Sequence, residues 1–158
     1  MTNLIEAIQE QVGREFAAHH AYLALSLWAN ANGYVRSAAY FARSSSDERE
    51  HAIKWLSFLS DYHDAKIFVP AVSATEPDAV TLLDAFQTAL ELEILVTSAI
   101  SQIGETANES ADYATLSLIN EFQAEQVQSV SELRGYVRAL ERAGSNEAAI
   151  LQFDSTLK

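Results

Sequence analysis

The sequence predicts an all-α protein: a bundle of four long helices with one long crossover loop, closed by a short fifth helix at the C-terminus. Three observations predict it. Apolar residues recur at helical spacing through four long stretches. Only five Gly and two Pro interrupt 158 residues, so turns are few and elements long. Both prolines fall in one segment without a helical period, DAKIFVPAVSATEP at 64–77, which is the place for a long connection. The helices are expected at about 3–31, 35–63, 77–106, 110–142 and 146–156, within a single domain spanning 1–158.

The first helix carries Leu4, Ile5, Ile8, Val12, Phe16, Leu23 and Leu27 as its apolar residues. Thr2 or Asn3 offers its N-cap, and Asn30-Ala31-Asn32-Gly33 ends it. The second starts near Val35, carries Tyr40, Phe41, Trp55, Leu59 and Tyr62, and stops near His63. Thr75 with Asp78 has the form of a capping box, with Pro77 in the first turn of a third helix. That helix runs through Leu82, Leu83, Phe86, Leu90, Ile94, Thr97 and Ile100 and weakens after Gly104. Ser110 caps the fourth, which carries Leu116, Ile119, Phe122, Val130, Leu133, Val137 and Leu140. Ala143-Gly144-Ser145-Asn146 is a stop and a new cap, and EAAILQFDSTL forms the short last helix.

Lengths set the topology. A helix of about 28 residues is about 42 Å long, and about 14 extended residues span at most about 46 Å. The loop just reaches from one end of the bundle to the other. The first two helices then form one antiparallel hairpin and the next two another.

Composition narrows the function. With 10 Lys and Arg against 22 Asp and Glu, the net charge of -12 argues against a nucleic-acid or anionic-membrane partner and favours cations. The absence of Cys removes thiolate catalysis, Cys-ligated zinc and iron–sulfur chemistry. No apolar run approaches a membrane span, and MTNLIEAIQEQ lacks a basic n-region before an apolar h-region. A cytoplasmic location is the expectation.

Some polar residues sit where an apolar stripe is due. Glu15 lies three after Val12, with Tyr22 seven further on. Glu48 lies midway between Phe41 and Trp55, and His51 is one turn along the same face. Glu93 is seven after Phe86 and seven before Ile100; Gln126 is four after Phe122 and four before Val130. Each also falls near the middle of its helix. Midpoints of equal antiparallel helices lie at one height, so Glu15, Glu48, His51, Glu93 and Gln126 are expected to meet in the core. Three buried carboxylates without a counter-charge cost several kcal/mol each or take up protons. No Lys or Arg shares these stripes near the midpoints. Metal ions supply the missing charge, and carboxylates with one imidazole and an amide suit iron or manganese.

Each signal alone has a plainer reading. A single Glu-x-x-His is usually solvated charge, Tyr22 and Trp55 read as core aromatics, and adjacent His19 and His20 point apart on a helix. A metal-free polar core network is the competing account of the stripe. The coincidence of stripe and depth on four helices favours metal.

Taken together, Glu15 with Tyr22, Glu48-x-x-His51, Glu93, the run Glu125-Gln126-Val127 and the terminal QFDSTL resemble the non-haem ferritins over almost the whole chain. The resemblance implies a ferritin-like fold and a ferroxidase centre holding two irons per subunit, without haem. By the same resemblance one iron would be held by Glu15, Glu48 and His51, and the other by Glu93 and a bridging Glu48. The resemblance likewise implies that Gln126 would hydrogen-bond a bound water or oxygen species, with Tyr22 beside the centre as a hydrogen-bond donor or transient electron source. Asp47 and Glu125 are secondary candidates for passing iron. The implied activity is oxidation of Fe(II) by dioxygen or peroxide, with the ferric mineral stored in a homo-24-mer shell. A small-oligomer di-iron oxidase that stores nothing is the alternative.

Other members of the wider group fit less well. The fourth helix reads EFQAEQVQSVSE and lacks a second Glu-x-x-His, and the only Met is Met1, unlike the haem-binding bacterioferritins. A rubrerythrin would need Cys. Gln128 and Ser129 stand where many bacterial ferritins place glutamates for a third iron, so the run EQVQSV looks more like the animal heavy-type chain. Asp47 stands where Glu is usual, and Leu116 and Ile119 replace channel carboxylates. Glu50 and Glu91 read as surface charges.

Overall fold

The computed structural model describes residues 3–158. It contains α1 (Leu4–Ala31), α2 (Val35–Asp61), α3 (Leu82–Glu109), α4 (Tyr113–Ala143) and α5 (Glu147–Thr156), with no strand among the described residues. α1 packs along α2, α3 along α4, and α1 against α3, while α5 lies across α2 and α4. α2 and α4 stand farther apart and leave a groove of about 820 Å³ between them. This is the expected bundle with one crossover.

Asn3 caps α1 in a reciprocal box with Glu6, which leaves few unpaired N–H groups in the first turn; Thr2 lies outside the described residues. Gly33, at φ 83°, makes the turn into α2 in a backbone region that a side chain disfavours.

Two helix starts differ from expectation. α3 begins at Leu82, not at 77, so Thr75, Asp78 and Pro77 belong to the loop. The capping box is Thr81 with Asp84: the Asp84 N–H donates to Thr81 Oγ1 at 3.1 Å, and Thr81 N–H to Asp84 Oδ2 at 2.7 Å. The segment holds two T-x-x-D patterns, and the winner is the one followed directly by the apolar run Leu82, Ala85, Phe86. Ser110 does not open α4. It closes α3, its hydroxyl donating to the Thr106 and Ala107 carbonyls. Asp112 caps α4, accepting from the Thr115 N–H at 3.0 Å. α3 also continues past Gly104 to Glu109. A Cβ there would stand 3.3 Å from Ile119 Cγ2, so the glycine suits the close approach of α4.

α2 has no cap of its own, since Tyr34 contributes no side-chain bond. Buried Asp154 of α5 does the work from across the chain. It accepts from the Ser37 N–H at 2.8 Å, Ser37 Oγ at 2.6 Å and the Arg36 N–H at 3.3 Å. A carboxylate at a helix N-terminus is stabilised by the free N–H groups and the helix dipole, and here it also fastens α5 to the bundle.

The apolar core is split in two. One cluster contains Tyr22, Leu25, Phe41, Phe86, Leu133 and Leu140. The other contains Ile8, Trp55, Leu59, Ile100, Ile119 and Phe122. Leu23, Leu27 and Ile94, counted with the stripes, lie instead on exposed faces.

Candidate metal centre

The α1 stripe that buries Ile8, Val12 and Tyr22 also buries Gln11 and Glu15. α2 turns Glu48 inward, with His51 one turn on and partly buried; α3 contributes buried Glu93 and α4 buried Gln126. All ten Lys and Arg lie among the described residues, and none is buried. The predicted polar group therefore forms without a positive side chain inside.

Three residues converge. Glu15, Glu48 and His51 each offer a ligand atom, all within 4.8 Å of one another. His51 Nδ1 stands 3.6 Å from Glu48 Oε2 and 4.0 Å from Glu15 Oε2. Both of those carboxylate oxygens are buried and accept no hydrogen bond. Burial, and then Glu48, pushes Glu15 up to about 8. Burial, and then Glu93, pushes Glu48 up to about 8. The metal-free protein therefore keeps protons on this pair well above the ordinary value of 4.5. Two unpaired carboxylate oxygens and an imidazole nitrogen facing one point form a donor set that fits a hard or borderline cation, which would displace those protons.

Neighbours orient the three. Glu15 Oε1 accepts from Gln11 Nε2 at 2.8 Å and Trp55 Nε1 at 3.2 Å. His51 Nε2 lies 2.9 Å from Glu125 Oε2. A proton on Nε2, donated to Glu125, leaves the Nδ1 lone pair toward the two carboxylates. Trp55 stacks on Phe122 with ring centroids 4.5 Å apart, and the His51 ring meets the same phenyl edge-on at 5.3 Å. These rings close one side of the centre.

Glu93 stands beside the triad with both oxygens engaged. Oε1 accepts from Tyr22 OH at 2.5 Å and Oε2 from Gln126 Nε2 at 2.8 Å. Burial, and then the Glu93 charge, keeps the Tyr22 phenol protonated far above its ordinary range. Asp47 and Glu125 lie on the wall of the α2–α4 groove, which reaches Glu48, His51 and Glu93 and gives the centre an opening. Glu50 and Glu91 are exposed.

Sequence reasoning missed several contacts. Gln11 is fully buried one turn before Glu15, a signal the stripe carried but metal-ligand chemistry did not flag. Trp55 fills the core as expected, and its N–H also reaches Glu15. His19 ties α1 to α2: its Nδ1 donates to the Ser45 carbonyl at 2.8 Å, and Ser45 Oγ donates to the His19 carbonyl at 2.9 Å. No spacing rule pairs His19 with Ser45, because the contact exists only between packed helices.

Comparison with known proteins points the same way as this geometry. Residues 5–143 match the family model described as a ferritin-like domain. The chain is 32% identical over 155 residues to the "Bacterial non-heme ferritin" of Staphylococcus aureus, covering 98% of this chain and 93% of the relative. It is 29% identical over 154 residues to the protein of the same name from Staphylococcus saprophyticus, covering 98% and 92%. Among solved structures, an open pore ferritin from the hyperthermophilic archaeon Archaeoglobus fulgidus superposes with a TM-score of 0.93 at 25% identity, over 98% of this chain and 94% of that one.

Proposed function

The chain belongs to the ferritin family, and from that premise we propose that it oxidises Fe(II) with dioxygen or peroxide at a di-iron centre inside each subunit, storing the ferric product in a 24-subunit shell. The observation that carries the reading is the pair of buried oxygens on Glu15 and Glu48 facing His51 Nδ1, with no Lys or Arg side chain buried beside them. Burial raises both carboxyls, so the metal-free fold holds them by keeping protons on the pair. Binding of a divalent cation explains why they are kept.

In this reading Fe(II) is the substrate. Glu15, Glu48 and His51 hold one ion; Glu48 also reaches the second, which Glu93 holds. Each ion gives one electron to the oxidant. Each Glu93 oxygen accepts one side-chain hydrogen bond and keeps a second lone pair for the metal, and Tyr22 and Gln126 stand ready to hydrogen-bond oxygen ligands nearby. Glu125 keeps the His51 ring in place, and with Asp47 it lines the groove through which ions pass. The single ferritin-like domain works in the cytoplasm, its negative charge concentrating Fe(II).

Glu48→Ala tests the assignment, because one change takes a ligand from both irons. Fast Fe(II) oxidation, followed by absorbance under air, should fall at least about a hundredfold; a rate equal to the unmodified protein's would remove the proposal's basis. Sedimentation tests storage separately. A 24-subunit particle that retains iron is expected, and a dimer with full oxidase activity would favour the small-oligomer alternative.

A further inference from the structure

We propose that Gln11 and Trp55 are positioning residues that restrict Glu15 to a single metal-facing oxygen; the inference rests on the metal centre proposed above. Gln11, Glu15 and Trp55 are each fully buried, so no water competes for their polar atoms. Both donors converge on the same atom, Glu15 Oε1, at 2.8 Å and 3.2 Å. Oε2 of that carboxylate accepts nothing and faces His51 Nδ1. The asymmetry divides the carboxylate into a held oxygen and a binding oxygen. With Oε1 saturated, chelation of one ion by both oxygens requires breaking two hydrogen bonds, so Glu15 binds through Oε2 alone.

The state of Gln11 itself is the stronger argument. Its Oε1 is buried and unpartnered. A buried amide oxygen without a donor is costly, and turning the amide over would set that oxygen against the Glu15 carboxylate. The side chain therefore gives up one of its own hydrogen bonds to donate to Glu15. A residue serving the fold alone would be an apolar side chain of similar size, which would leave nothing unpaired. Partners in this position fix ligand orientation, and losing one typically weakens metal binding about ten- to a hundredfold. Trp55 comes from the other helix of the hairpin and adds a second, stiffer constraint: its indole is clamped by stacking on Phe122, with planes 10° apart.

Gln11→Leu is the informative substitution. It keeps the volume, removes the donor and removes the orphan oxygen. The metal-free variant should melt at or above the temperature of the unmodified protein. Zn(II) binding at the first site, measured by calorimetry, should weaken about tenfold or more, and the Co(II) ligand-field spectrum should change as Oε1 becomes free to coordinate. Unmodified Zn(II) affinity overturns the proposal whichever way the spectrum reads, and a lowered melting temperature overturns the argument from the unpaired oxygen. Trp55→Phe, which keeps the stacked ring and deletes the N–H, is read by the same affinity criterion and decides the matter if Gln11→Leu does not fold. Glu15→Ala separates the two levels. Weakened binding in Glu15→Ala beside unchanged binding in Gln11→Leu rejects only the positioning role, whereas unchanged binding in Glu15→Ala rejects the centre itself.

Discussion

At the scale of single residues, the chemistry is set by what burial does to charge. Glu15 and Glu48 are raised from 4.5 to about 8. The folded metal-free chain therefore binds protons that the unfolded chain has already lost, and the linkage has a definite sign. The stability from these two groups is fully present below about pH 4.5 and is lost as pH rises through about 8. The melting temperature of the metal-free protein should fall between those limits. Zn(II) should reverse the trend, because the ion replaces the protons; a flat profile in both conditions would contradict the assignment. At pH 7, calorimetry in buffers of different ionisation enthalpy should report release of roughly one to two protons per subunit with the first metal. His51→Ala removes a ligand from one ion only, so anaerobic Fe(II) titration should show about one fast site per subunit where the unmodified chain shows about two. An unchanged stoichiometry would mean that His51 Nδ1 is not a ligand.

At the scale of elements, helix ends and helix pairs decide where these groups stand. Ser45 of α2 and His19 of α1 bond across the hairpin, one turn from Glu48 and Glu15, and so tie the two helices that carry those carboxyls in register. α5 is held by the Asp154 cap on α2, and the Arg43 guanidinium donates to the Lys158 carbonyl just beyond it. Removing Asp154 leaves the Ser37 N–H and hydroxyl buried and unpaired. Asp154→Ala should cost about 2 kcal/mol in denaturation of the metal-free protein. It should also expose the turn at 144–146 to protease, while Zn(II) affinity stays within about twofold of the unmodified chain because no ligand moves. Asp154→Asn, which keeps an acceptor but loses the charge, should fall between. Equal stability and equal protease resistance in the alanine variant would show that α5 is held by its apolar contacts alone.

At the scale of the whole molecule, the polar layer divides the core into two apolar clusters, and no Lys or Arg is buried within it. The net charge of -12 favours the arrival of a cation. Steering by surface charge is screened within a Debye length, about 8 Å at physiological ionic strength. The initial rate of Fe(II) capture in stopped-flow should drop several-fold between low and physiological salt, and a rate independent of salt would show that net charge plays no part in delivery. The α2–α4 groove reaches Glu48, His51 and Glu93 and carries Asp47 and Glu125 along its wall.

Apolar periodicity and the scarcity of Gly and Pro were enough to determine the five helices and their hairpin order, because each signal is local and repeats over many residues. Stripe and depth together were enough to place Glu15, Glu48, Glu93 and Gln126 in the core with His51 at its edge, because a buried polar group contradicts its own neighbours in the sequence. Helix starts were less legible. Two T-x-x-D patterns compete before α3, and choosing between them needs the packing of Leu82 and Phe86. Only the tertiary structure decided which atoms meet: Gln11 and Trp55 on one oxygen of Glu15, Glu125 on His51, and Tyr22 and Gln126 on the two oxygens of Glu93. A hydrogen bond depends on side-chain rotamers and interhelical distances finer than one helical turn, and periodicity resolves nothing below a turn.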